Sequence, residues 1–154
     1  VKTIVIGLGN PILGDDGVGW QIAQQLQQRS DFPSGIEVDY LSLGGLSLME
    51  RLIGYERAIL IDSIVSDNHP IGTLSCFSLD QLPNRTIGHT YSAHDTTLQN
   101  ALRIGQDLGA QLPKEIVVVA VEARKVYDFS EQLSPDVAAA IPNAVQMIID
   151  LLGG

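Results

Sequence analysis

The chain has 154 residues, an ordinary length for one domain and enough to bury roughly two thirds of the surface its unfolded form would expose, so a single domain spanning residues 1–154 is expected. Hydrophobic residues make up 45% and charged residues 18%, and no Pro/Ser/Gly-rich stretch or charge run reads as a linker, which argues against a largely disordered chain. A net charge of −9 and a pI near 4.5 argue against nucleic acid or an anionic membrane as partner, because binding phosphates requires Lys and Arg to displace counterions.

Residues Val1 to Gly9 carry neither a long apolar stretch nor a small-residue cleavage pattern, and nowhere do about 20 apolar residues run together. A cytoplasmic, soluble protein is the expectation. The single cysteine, Cys76, lies in the apolar run Leu74 to Phe77 and reads as a buried, reduced thiol.

In chain order, Thr3 to Ile6 is a β-branched apolar run ending in Gly7-Leu8-Gly9, a buried strand that enters a tight turn. Val18, Ile22, Ala23 and Leu26 recur at helical spacing, with Asp15 or Asp16 placed to cap the first turn. Ile36 to Leu43 alternates apolar and polar up to Gly44-Gly45, after which Leu46, Met49, Leu52 and Ile53 follow a helical period. Ala58 to Ile61 closes on Asp62 as a central strand covered on both faces. Gly72 to Leu79 reads as a strand, Thr96 to Leu108 as a helix and Glu115 to Val121 as another buried strand. The last helix starts at Ser134-Pro135, where Ser caps and Pro takes the first helical position, and it runs to Leu152 with Pro142 expected to kink it. This alternation predicts an α/β fold, a three-layer α/β/α sandwich with a largely parallel central sheet.

In open sheets of this kind ligands bind beyond the carboxyl ends of the strands. Three such places carry chemistry: Gly7-Leu8-Gly9-Asn10-Pro11 leading to Asp15-Asp16-Gly17, then Asp62, then Ser92-Ala93-His94-Asp95. The Gly-x-Gly is not a dinucleotide fingerprint, since Ile12 occupies the third glycine position and two carboxylates follow where a pyrophosphate needs a bare helix N-terminus. Asp15 and Asp16 are neighbours and point differently, so one can cap a helix while the other faces the space beyond the sheet. Asp62 requires a hydrogen bond or a cation to offset its burial. Ser92 and Asp95 have the spacing of a capping box, which places His94 in a first helical turn, where the dipole favours the neutral, metal-binding imidazole. His89 is a rival to His94 by spacing alone, and His69 in Asp67-Asn68-His69-Pro70 reads as loop. Two carboxylates and an imidazole suit a borderline divalent ion such as zinc or nickel and leave coordination positions open.

Taken together, Gly7, Gly9, Asn10, Asp15, Asp16, Gly17, the Gly44-Gly45 pair, Asp62, Ser92, His94 and Leu133-Ser134-Pro135 resemble the hydrogenase maturation protease family over nearly the whole chain. The resemblance implies an aspartyl-type endopeptidase that removes the C-terminal extension of a [NiFe]-hydrogenase large-subunit precursor. It also implies that Asp16, Asp62 and His94 are both the catalytic set and the ligands of nickel, the nickel being supplied by the substrate, with no permanently bound organic cofactor. Asp16 stands where some members carry Glu, a shorter arm of the same ligand type. Metal polarisation of the scissile carbonyl, a metal-activated water, and general-base action by Asp16 or Asp62 all fit this set.

Two other classes share part of the pattern. Peptidyl-tRNA hydrolases also open with a strand and Gly-Leu-Gly-Asn-Pro, but the acidic pair and net charge of −9 do not suit a tRNA-facing surface. A non-catalytic nickel-binding maturation chaperone would use the same ligands without hydrolysis. No HExxH, GxSxG or paired catalytic cysteine is present to support another protease mechanism.

Overall fold

The computed structural model describes residues 1–42, 44–81, 97–125 and 128–153. Among these residues five strands form one sheet: β1 (Thr3–Leu8), β2 (Glu37–Leu41), β3 (Arg57–Ile64), β4 (Leu74–Ser78) and β5 (Glu115–Glu122). Four helices accompany them: α1 (Val18–Gln28), α2 (Gly45–Leu52), α3 (Leu98–Asp107) and α4 (Pro135–Gly153). The sheet order is β2-β1-β3-β5-β4, parallel except that β4 runs antiparallel to β5. The predicted α/β sandwich with a largely parallel sheet is therefore what the chain forms.

Alternation along the three central strands divides the apolar residues between two cores. Val5, Ile59, Ile61, Val117, Val119 and Val121 meet α1 and α4 on one face. Ile4, Ile6, Leu8, Ala58, Leu60 and Val118 meet α2 and α3 on the other. The chain steps from β1 to β2 in one direction and from β2 back across to β3 in the other, so right-handed crossovers put α1 and α2 on opposite faces. Helix α4 has the length and composition of a bilayer span, and its Val137, Ala140, Ile141, Ala144, Val145 and Ile148 are buried in the core formed with α1 and the sheet.

Several sequence expectations are corrected. Strand β3 does not close on Asp62 but continues to Ile64, because β5 extends alongside it until Ile64 pairs with Glu122. Neither Asp15 nor Asp16 caps α1, whose N-cap is Gly17 with no side-chain hydrogen bond. The N-cap of α3 is Thr97, whose hydroxyl accepts from the Asn100 N–H, while the proposed Ser92 and Asp95 capping box lies outside the described residues. Cys76 is exposed, since β4 is the edge strand and its residues are only partly covered by the helical layers. Partial desolvation still pushes its thiol pKa up. Pro142 lies inside α4, as the sequence indicates.

Candidate functional site

The connections leaving β1 and β3 diverge to opposite sides of the sheet, so the carboxyl ends of these neighbouring strands form the topological switch point. The sequence after β1 must turn sharply there. Gly9 adopts φ +142°, and a Cβ at that position would stand 2.0 Å from the Asp16 carbonyl oxygen. Only glycine accommodates both the conformation and the close approach, which folds the acidic turn back over the end of β1. Residues Gly14–Gly17 then make one 3-10 turn before α1. Gly19 fits α1 closely onto the sheet, since a Cβ there would lie 2.4 Å from the Leu8 carbonyl oxygen and 2.5 Å from that of Ile61.

The adjacent acids of this turn have separate tasks. Asp15, 3% exposed, turns inward and accepts hydrogen bonds from the Ser134 N–H at 2.6 Å and the Ser134 hydroxyl at 2.8 Å. It thereby fastens the turn to the start of α4, 119 residues away, where the Ser134 carbonyl receives the Ala138 N–H. A parallel bridge between Leu13 and Ser130 reinforces the same junction, with Gly14 N–H donating to the Ser130 carbonyl at 2.7 Å and Ser130 N–H to Ile12 at 2.8 Å. Asp16 is only half-buried. Its Oδ2 accepts from the Asn10 N–H at 3.0 Å and its Oδ1 from the Ser63 hydroxyl at 3.4 Å.

Asp62 is 1% exposed and sits inside β3, where its Oδ1 accepts from the Ser63 N–H at 2.8 Å. Burial of a carboxylate without such donors would be costly, so this bond is part of what keeps the acid in the strand. The structure thus joins two of the three sequence-predicted site residues, Asp16 and Asp62, through one intermediary. The third, His94, and its rival His89 lie outside the described residues. His69 is an exposed loop residue, as expected. Among the described residues no three His, Cys, Asp or Glu side chains converge as a metal centre. Carboxylates are the hard oxygen donors that a divalent cation takes, and two of them fall short of a full ligand set.

Two residues that the sequence reading passed over belong to this end of the sheet. Ser63 touches both carboxylates. Glu122, 1% exposed at the end of β5, accepts from the Ser66 hydroxyl and from the Ser66 N–H at 2.9 Å, which holds the loop that follows β3. The available signal was similar for both: a polar residue close behind an apolar run, Ser63 next to Asp62 after Ile59-Leu60-Ile61 and Glu122 after Val117 to Val121. A cavity of about 330 Å³ between Asp80, Leu102, Arg103 and Lys114 lies at the opposite end of β5 from Glu122 and takes no part in this arrangement.

Residues 20–151 match the family model described as hydrogenase maturation protease. The chain is 28% identical over 149 residues to the hydrogenase expression/formation protein HoxM of Cupriavidus necator, an alignment covering 97% of this chain and 73% of that protein. Among solved structures it is similar to the hydrogenase maturating endopeptidase HybD from Escherichia coli, with a TM-score of 0.82, 25% identity and coverage of 99% and 92% of the two chains. It is also similar to a hydrogenase 2 maturation peptidase from the Thaumarchaeota archaeon SCGC_AB-539-E09, with a TM-score of 0.71, 28% identity and 99% coverage of both chains.

Proposed function

The chain belongs to the hydrogenase maturation protease family, and from that premise we propose that it removes the C-terminal extension of a nickel-loaded [NiFe]-hydrogenase large-subunit precursor in the cytoplasm. The observation that carries this reading is that Asp16 and Asp62 both meet Ser63 at the sheet's switch point, Asp62 through the Ser63 N–H and Asp16 through the Ser63 hydroxyl. Such hydrogen bonds orient a carboxylate for binding. In this proposal Asp16, Asp62 and His94 engage the nickel already seated in the precursor, so the metal is a feature of the substrate and reports that it has been loaded.

Binding the nickel fixes the position of the neighbouring peptide segment, and such positioning is itself a large source of rate. The metal polarises the scissile carbonyl as a Lewis acid. Water supplies the new C–O bond as the C–N bond breaks, and one water proton passes to the departing amine. In the alternative division of roles Asp16 or Asp62 acts as general base in place of ligating the metal, and relays that proton.

The test is mass spectrometry of nickel-loaded and nickel-free precursor after incubation with the enzyme and with Asp16→Ala and His94→Ala. Loss of a C-terminal peptide only from the loaded precursor, and only with the unaltered enzyme, is expected. A precursor that binds but stays intact would overturn cleavage in favour of a nickel-binding chaperone.

A further inference from the structure

We infer that Ser63 is a positioning residue that sets the geometry of both site carboxylates, an inference that rests on the functional reading above and deepens it. The residue is out of keeping with its surroundings. Central parallel strands covered on both faces favour β-branched and apolar side chains, and β3 obeys this from Ala58 to Ile61. Ser63 is buried in that strand at 5% exposure, opposite Val121 of β5. A small hydroxyl there contributes little to packing and needs a hydrogen-bond partner, and the partner is Oδ1 of Asp16. A local rule broken in a core strand is a mark of a functional constraint.

The alternation of the strand explains why this one position reaches both acids. Asp62 shares the parity of Ala58 and Leu60, which face α2 and α3, whereas Ser63 shares that of Ile59 and Ile61, which face α1 and α4. The acidic turn before α1 approaches from the α1 side. Ser63 therefore offers its side chain to Asp16 on one face and its backbone N–H to Asp62 at 2.8 Å. The main-chain arm survives any substitution other than proline, while the side-chain arm requires a hydroxyl. The hydroxyl also suits the short reach of Asp16, whose other oxygen is held by the Asn10 N–H at 3.0 Å, so that each oxygen of this carboxylate has a donor beside it.

The consequence is specific: removing the hydroxyl disturbs Asp16 and leaves Asp62 in place. Partners that orient metal-binding groups commonly contribute about 10-fold or more in activity. The test compares Ser63→Ala and Ser63→Thr with the unaltered enzyme in kcat/KM for the nickel-loaded precursor, in Tm, and in the carboxyl carbon resonances of Asp16 and Asp62. Ser63→Ala is expected to lower kcat/KM about 10-fold at nearly unchanged Tm and to shift the Asp16 resonance alone; Ser63→Thr, which keeps the hydroxyl, is expected to retain most of the activity. An unaltered enzyme that cleaves beside an equally active Ser63→Ala overturns this inference and spares the functional reading. An unaltered enzyme that leaves the loaded precursor intact overturns the functional reading and this inference with it. An Asp16 resonance unmoved in Ser63→Ala overturns the inference whatever the activity.

Discussion

Two acidic regions of this protein bind their carboxylates in opposite ways. On the β2–α2 flank, Asp39 meets the Arg51 guanidinium at 2.6 Å, and Glu37 accepts from the Tyr55 hydroxyl at 2.5 Å and lies 3.3 Å from Arg51. Lys2 stacks over the Tyr55 ring at 4.7 Å, adding a further positive charge to the same patch. At the carboxyl end of the sheet, Asp15 and Glu122 are held by serine hydroxyls and backbone N–H groups, and Asp16 and Asp62 receive the same kinds of donor from Asn10 and Ser63. An arginine neutralises an acid and uses up its charge; a neutral donor orients the acid and leaves the charge available. The first region is a fastening between a strand and a helix. The second gathers acids with hydroxyl and backbone N–H donors at the end of the sheet, which is where the proposed function puts the substrate's cation.

The largest effect that separates the regions is on activity. Asp62→Asn preserves shape and the acceptor for the Ser63 N–H, and is expected to reduce precursor cleavage by at least about 100-fold, more than the loss of a partner that merely orients a ligand. Asp39→Asn should leave cleavage intact, at a stability loss below about 1 kcal/mol for a partly exposed pair. Parallel cleavage assays decide the matter, and equal losses in both variants would erase the distinction.

Asp15 sharpens the comparison within the second region, because its bonds to Ser134 tie the acidic turn to α4. Asp15→Ala deletes two hydrogen bonds to a buried charged acceptor and strands the Ser134 donors, for an expected loss of about 2–4 kcal/mol in urea denaturation. An Asp15→Ala protein as stable as the original would mean that the clasp between the turn and α4 contributes nothing.

The smallest effect concerns pH. The Tyr55 hydroxyl, then Arg51, hold the Glu37 carboxyl below its usual pKa. A group whose folded pKa is depressed contributes stability that is present above the unfolded value and lost as pH falls through the folded one. Glu37→Gln should therefore make the decline in stability shallower between about pH 5 and pH 3 and change little near neutrality. Denaturation midpoints across that range measure it, and an unaltered slope would show that Glu37 is as loosely held in the folded protein as in the unfolded chain.

Much of this molecule was legible in one dimension. Apolar runs marked β1, β3 and β5, because burial on both faces of a parallel sheet leaves an almost unbroken hydrophobic signature, while alternation, helical periods and the Ser134-Pro135 start marked the other elements among the described residues. Gly7-Leu8-Gly9-Asn10 marked the turn, and the acids beyond it marked the place where chemistry gathers. Periodicity also separated β-strand from helix, but it carried no information about which strands are neighbours.

That was left to tertiary structure, and it decided the site. Asp15 and Asp16 are indistinguishable as adjacent letters; they differ because α4 packs where Ser134 can take the first and the end of β3 lies where Ser63 can reach the second. Asp62 lies inside β3 because β5 runs alongside as far as Glu122, a pairing between residues nearly 60 positions apart. Cys76 is exposed because its strand fell at the sheet edge, although its apolar neighbours resemble those of a central strand. Local sequence fixes what each segment can bury, but a hydrogen-bond partner or an exposed edge is a property of which segments meet. That outcome is set by the packing of the whole chain.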